Sequence, residues 1–286
     1  MNYSKYTFLL YSFSYVISTN NKYVLFCISL GNAKTVRNNN SSRFGKFVQI
    51  HMNAKYSIVG ASIVNYLLEK TRVAQQSKTE RNYHVFYQMT AGANADEKNK
   101  YKINAANTYN YLTQSGCIDM PGVSDSKNFE ALKLAFQILN MGPEDVDAIL
   151  RTLSAILHLG NVKFNESADK ESVKIANPDV TAVVASLLGV SDPKLIEALT
   201  FKRLVVRSDV TMVPYKAGQA IDSRDSIAKA IYDALFQKVV DGINASLVCR
   251  ENPVNFVGVL DIFGFEGKQL LLSPPFSLLF ASMRMS

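Results

Sequence analysis

Apolar positions recur along this chain with two periods, and the change from one to the other marks its elements. Arg43–Met52 and Tyr56–Val59 have strand character, separated by a short turn around Asn53. From Ser62 the spacing of Ile63, Leu67 and Leu68 predicts a helix. Asp125–Leu139 also reads as a helix, stopping near Gly142. Pro143 opens the next one, with Glu144 and Asp145 in its first turn, where carboxylates favour the helix dipole. Val146, Ile149, Leu150, Leu153 and Leu157 then make one buried stripe ending at Gly160. Phe201–Val206 and Val210–Val213 form a hairpin turning at Ser208-Asp209. A further helix starts near Asp222 or Ser223 and carries Ile227, Ile231, Leu235 and Val239. Asn255–Leu260 is a short apolar run rich in Val and Phe, the mark of a buried central strand. The layout is strands early and late with a large helical insertion between, and no internal repeat.

The two ends break this regularity. Met1–Leu30 is rich in Tyr, Phe and Ser and has no acid. Its apolar run around Phe8–Ile17 is interrupted by Tyr11, Ser12, Ser14 and Tyr15, with no clean small-residue cleavage site, which argues against a signal peptide. Thr19-Asn20-Asn21-Lys22 cuts the segment short of the roughly 20 apolar residues a membrane span needs. At the other end, Ser273-Pro274-Pro275 breaks any helix, and Phe276–Phe280 is apolar without a periodic pattern. Three segments follow: 1–30, a consistent body over 31–266, and 267–286.

A hydrophobic content of 48% with 19% charged residues suits a packed interior. The formal charge of +7 raises the question of nucleic acid. Lys5, Lys22, Lys268 and Arg284 carry four of those charges in the two acid-free ends, and the middle has no dense basic stripe. Nucleic-acid binding is therefore not expected. Cys27, Cys117 and Cys249 lie far apart and read as reduced thiols, and the three histidines are isolated, so no His/Cys metal site is expected.

Two loops carry candidate chemistry. The first, Asn38-Asn39-Asn40-Ser41-Ser42-Arg43-Phe44-Gly45-Lys46, precedes a strand; the second, Asp261-Ile262-Phe263-Gly264-Phe265-Glu266, follows one. An Asp at the carboxyl end of a buried strand is where open α/β sheets place ligand chemistry. A Ser hydroxyl is a good hard-oxygen ligand for Mg²⁺, and a nearby Asp can hold a metal-bound water. A Gly lets its N–H approach a terminal phosphate closely. Taken singly, the first loop also reads as a solvated polar run and the second as a plain turn.

Gly31-Asn32-Ala33-Lys34-Thr35-Val36-Arg37 running into Asn38–Phe47 resembles the switch I segment of myosins, and Asp261–Glu266 resembles their switch II. Kinesins differ, with Ser-Arg-His and Ala-Gly-Ser where this chain has Arg-Phe-Gly and Phe-Gly-Phe. Tyr66–Lys70, Glu80–Gln88, Leu157–Asn161 and Arg224–Phe236 resemble further myosin segments in order. The likeness covers about Gly31 to Glu266.

The resemblance implies an α/β fold: a fragment of a P-loop NTPase myosin head, with a few central sheet strands and a large, mainly helical insertion. It implies ATP and Mg²⁺ as ligands. Ser42 would coordinate Mg²⁺, with Asp261 beside it, and Ser41 would help position the attacking water. Asn38 and Asn40 belong to the nucleotide-contacting set, Gly264 senses the γ-phosphate, and Arg43 and Glu266 form a closing salt bridge. Asn39 departs from the family, where an Asp is common. Residues Ala61–Pro253 would form most of the upper half of an actin-binding cleft. Lys202, Arg203, Arg207 and Asp209 on the hairpin would face the actin filament, with Lys216 nearby; Asp209 lies sixteen residues before Asp225, where myosins tend to carry an acidic or phosphorylatable residue. The implied location is the cytoplasmic actin cytoskeleton.

The motif G-x-x-x-x-G-K-[ST] occurs nowhere in the chain, so most phosphate-binding donors are missing. The purine-contacting segment, relay helix, lower cleft, converter, light-chain site and any coiled coil are not found either. Gly267-Lys268 fits an intron donor read in frame. The expectation is a motor fragment without ATPase or motility alone, keeping three contiguous strands with one bare edge. The alternatives are a non-enzymatic actin-binding module, or an ATPase completed by a partner chain.

Overall fold

The computed structural model describes residues 29–207, 209–247, 249, 251–262 and the backbone of 280–284. Two very short strands, β1 (Asn32–Ala33) and β2 (Ser41–Ser42), pair with each other and bracket the first loop. β3 (Gly45–Met52) and β4 (Ile58–Tyr66) form an antiparallel hairpin whose turn is held by Asn53, its Oδ1 accepting from the backbone of Lys55 and Ser57. The helix expected from Ser62 is absent: Ile58–Tyr66 is strand, opposite β3. Its β-branched residues Ile58, Val59, Ile63 and Val64 fit the ladder, and Leu67, with φ of 48° and 82% exposure, ends the run rather than extending a helical face.

A single turn at Lys70–Val73 leads into the helical body. It consists of α1 (His84–Gly92), α2 (Ala95–Tyr101), α3 (Asp125–Ile138) and α4 (Pro143–Leu159), then the small pair β5 (Phe164–Glu166) and β6 (Val173–Ile175). α5 (Pro178–Leu188) and α6 (Asp192–Thr200) follow, then the hairpin β7 (Phe201–Val206) and β8 (Asp209–Pro214), and α7 (Ala217–Ser246). Capping sets several starts: Asn94 and Glu97 make a reciprocal capping box on α2, and Pro143 opens α4 after Gly142. The second strand of the hairpin starts one residue earlier than expected, because Asp209 pairs with Val206, and Arg207 takes the left-handed conformation.

The body is built around α7, which starts earlier than its sequence pattern indicates. Ala228, Tyr232, Leu235, Phe236, Val239, Val240 and Ile243 form one buried stripe along it. Tyr83 stacks on Tyr232 with ring centroids 4.8 Å apart, and Phe44 meets Phe236 edge-on at 5.0 Å. Phe86, Phe129, Phe136 and the α4 residues Ile149, Leu153, Ile156 and Leu157 complete the core.

β9 (Asn255–Asp261) joins β3 antiparallel, from Lys46 opposite Asp261 to Met52 opposite Asn255. The order of the sheet is β10-β9-β3-β4, where β10 is Phe280–Arg284. β9 is thus internal in the sheet, although mostly half-buried rather than buried. β10 corrects the expectation of a bare edge: its backbone pairs along β9, satisfying donors and acceptors that β3 leaves on the other side. β4's outer edge is closed by α7. The Asn244 side chain accepts from Ile63 N at 2.7 Å and donates to Ile63 O at 2.9 Å, so one amide continues the ladder. Gly258 is required by packing, since a Cβ there would lie 2.4 Å from the Phe47 ring. The described residues thus combine helices and small antiparallel sheets, and none of their helices is long and apolar enough to cross a membrane.

Candidate functional site

The first loop is closed at its base by Asn32 opposite Ser42 and Ala33 opposite Ser41. Inside it, Thr35 N donates to Asn38 O at 2.8 Å, and Asn40 N donates to Asn38 Oδ1 at the same distance. Asn32 Nδ2 donates to Asn40 Oδ1 at 3.0 Å, and His84 Nε2 lies 3.2 Å from that same oxygen. Asn38, Asn39 and Asn40 are exposed at the tip, while Ser41, Ser42 and Arg43 are half-buried where the loop enters the sheet. Ser42 Oγ donates to Phe44 O at 3.0 Å, which leaves its oxygen lone pairs to a hard cation.

Arg43 is fixed on the body side. Its Nε donates to Glu69 Oε2 at 2.6 Å and its Nη1 to Ser41 Oγ at 3.1 Å. Glu69 also receives Arg72 Nε at 2.7 Å, and Arg72 pairs with Glu80 at 2.9 Å. Burial works against the Glu69 charge, but hydrogen bonds from Arg43 and Arg72 outweigh it and hold the carboxyl below its ordinary value. Burial likewise opposes the Arg72 charge, and Glu69 and Glu80 overcome it, raising its pKa. His84 is pushed down to about 4, chiefly by burial and further by Arg81, so it is neutral near pH 7.

Further hydrogen bonds lace the loop to segment 79–81. Arg81 N donates to Lys34 O, Lys34 Nζ to Thr79 O, and Val36 N to Glu80 Oε1.

Among the described residues, the start of the second loop meets the end of the first at Asp261. Asp261 pairs in register with Lys46, and their side chains form a salt bridge of 2.8 Å. Because β3 starts where β9 ends, the chain leaving Ser41-Ser42 and the chain entering Ile262 emerge at the same end of the sheet. Asn38, Asn40, Ser41, Ser42 and Arg43 lie together on the first loop and Asp261 lies at the same end of the sheet, tied to Lys46; Gly264 and Glu266 lie outside the described residues. Lys202, Arg203, Arg207 and Asp209 belong to a separate surface, the exposed β7–β8 hairpin at the start of α7. A 30-residue helix spans about 45 Å, and β4 packs near its other end.

Sequence reading assigned no role to Glu69, Arg72, Glu80 or Lys46. Glu69, Arg72 and Glu80 lie in polar, charged stretches that give no local signal, and only their packing together makes them partners. Among the described residues no three His, Cys, Asp or Glu side chains cluster as a metal site. Mg²⁺ typically takes only one or two protein oxygens together with substrate phosphates; Ser42 and Asp261 each carry an oxygen of that kind, the Asp261 carboxylate being engaged by Lys46.

The myosin head (motor domain) family model matches residues 20–270. The chain is 43% identical over 241 residues to "Myosin-I heavy chain" of Dictyostelium discoideum, covering 83% of this chain and 10% of that protein. It is 44% identical to "Myosin-1" of Pyricularia oryzae, with 83% and 20% covered, and 39% identical to "Unconventional myosin heavy chain 6" of Caenorhabditis elegans, with 83% and 12% covered. The chain thus spans between a tenth and a fifth of these relatives' length. By this match the chain belongs to the myosin motor-domain family.

Proposed function

We propose that these 286 residues are the switch and upper-cleft portion of an actin-based, ATP-driven motor head of the cytoplasmic cytoskeleton, without ATPase or motility alone. The observation that carries the reading is Lys46 opposite Asp261, which unites the ends of both loops at one end of the sheet. When bound, Mg-ATP would supply the triphosphate and a cation that neutralises developing charge. Ser42 and Asp261 would hold the cation, Asn38 and Asn40 the phosphates, and Ser41 the attacking water. Gly264 would offer its N–H to the γ-phosphate, and Glu266 would close on Arg43. The Lys and second hydroxyl of a phosphate loop have to come from sequence outside these residues. Purified chain is therefore expected to release phosphate from Mg-ATP no faster than buffer, and a motor-like rate would refute this.

A second reading, a non-enzymatic actin-binding module, is favoured by the hairpin. It exposes Phe201, Leu204, Val205, Val210, Met212 and Val213 beside Lys202, Arg203 and Arg207, an apolar surface with a basic rim suited to an acidic filament. The module reading requires salt-sensitive co-sedimentation with filamentous actin, abolished by Lys202→Glu with Arg203→Glu. Absence of pelleting at low salt would reject the module.

A further inference from the structure

We propose that Glu69 is a positioning residue for the first loop: its carboxylate orients the Arg43 guanidinium and, through it, the Ser41 hydroxyl. The inference deepens the motor-head reading, on which the roles of Arg43 and Ser41 rest. Glu69 grips Arg43 twice. Its backbone N–H donates to Arg43 O at 2.9 Å, and its Oε2 accepts Arg43 Nε at 2.6 Å. The carboxylate is itself held by Arg72, whose Nε reaches Oε2 at 2.7 Å and whose Nη2 reaches Oε1 at 3.3 Å. Arg72 is 4% exposed and donates from Nη1 to Glu80 Oε2 at 2.9 Å and to Arg81 O at 3.1 Å. Glu80 Oε1 accepts Val36 N at 3.3 Å, so alternating charges link both limbs of the loop. Tyr83 fixes the remaining backbone group, its hydroxyl donating to Glu69 O at 2.9 Å.

The consequence is chemical as well as structural. A guanidinium is planar, so gripping Nε fixes the direction of both Nη groups. Arg43 Nη1 donates to Ser41 Oγ at 3.1 Å and occupies a lone pair of that oxygen. The Ser41 O–H must then point elsewhere, as a donor. Glu69 thereby sets the polarity of a hydroxyl two bonds away in the network. The two cations and two carboxylates of Arg43, Glu69, Arg72 and Glu80 balance, so no net charge is buried.

The test uses the ¹⁵N-labelled 286-residue chain without nucleotide or actin, so its outcome is separable from that of the phosphate-release and co-sedimentation experiments. NMR follows exchange of the Arg43 Nε–H. Glu69→Gln is expected to speed that exchange at least tenfold and Glu69→Asp less, while α4 backbone amides from Val146 to Leu159 stay unchanged. In the unsubstituted chain, protection should persist above the pH at which the Glu69 carboxyl titrates and fall as pH drops through it. Unchanged Arg43 exchange in folded Glu69→Gln, or an equal loss of protection in α4, would overturn the proposal. Should Glu69→Gln fail to fold, Arg43→Lys supplies the reciprocal measurement. The Glu69 ¹³C carboxyl titration must then shift to higher pH, and an unshifted midpoint would equally overturn it.

Discussion

In the helical body, Tyr83, Phe86, Phe129, Leu153, Tyr232 and Ile243 are 0% exposed, packed from every side. On the sheet, Val64 is 39% exposed, Tyr66 46% and Leu260 41%, although β4 and β9 are largely apolar. The body makes its own core, whereas the sheet packs against α7 and keeps apolar surface in water. Contiguous exposed apolar surface of this kind marks an interaction face. The two candidate loops straddle this divide. The first is bound to the body by Glu69, Glu80 and Arg81, while the start of the second hangs on the sheet alone through Lys46.

Truncation should separate the two regions most clearly. Phe129 of α3 is fully buried against α1, and Gly92 of α1 approaches it so closely that a Cβ there would sit 2.5 Å from Phe129 Cβ. Phe129→Ala is expected to cost about 3–5 kcal/mol, read as a fall in the urea midpoint at unchanged slope. A loss below about 1 kcal/mol would mean that the body is no better packed than the sheet.

Titration should place acid sensitivity in the body. His84 binds its proton only near pH 4 in the folded chain, against an ordinary value of 6.5 in the unfolded one. Between those values the unfolded state holds more protons, so stability is full above about pH 6.5 and falls as pH drops toward 4. The loss attributable to His84 is roughly 3 kcal/mol and does not grow below pH 4, where both states are protonated. His158, buried in α4, is shifted in the same direction, as is His51 on β3. Urea midpoints from pH 7 to 4.5 should flatten strongly in His84→Gln and little in His51→Gln. The reverse order would assign the acid sensitivity to the sheet.

The same divide explains what could be read before the fold was known. α4 was legible because Val146, Ile149, Leu150, Leu153 and Leu157 repeat at the helical period, and Pro143 and Gly160 punctuate it. β4 was not, because Ile63, Leu67 and Leu68 also satisfy that period. Its strand state is decided by pairing with β3 and by Asn244, far along the chain. The serine pair and Asp261 stood out only through family resemblance, since a polar loop and a turn are common. That Lys46 sits opposite Asp261 is a matter of register, which no local pattern carries. Glu69, Arg72 and Glu80 were hidden for a related reason: their meaning lies in burial together, and the sequence shows only charges.

The smallest effect tests the comparison from the sheet's side. Val64 on β4 stands opposite Phe47 of β3, with its side chain 39% exposed. Val64→Thr keeps the branched shape and strand preference and replaces a methyl with a hydroxyl that water can satisfy. In a covered sheet that hydroxyl would be stranded and cost about 1–3 kcal/mol. On a face open to solvent the change should stay within about 0.5 kcal/mol. Urea denaturation of Val64→Thr beside the unsubstituted chain distinguishes the two. A large loss would mean that another layer covers β4 in solution, through self-association or a segment folding over it, and sedimentation velocity would tell those apart. A negligible one leaves the face open to solvent, as the exposure of Val64, Tyr66 and Leu260 requires.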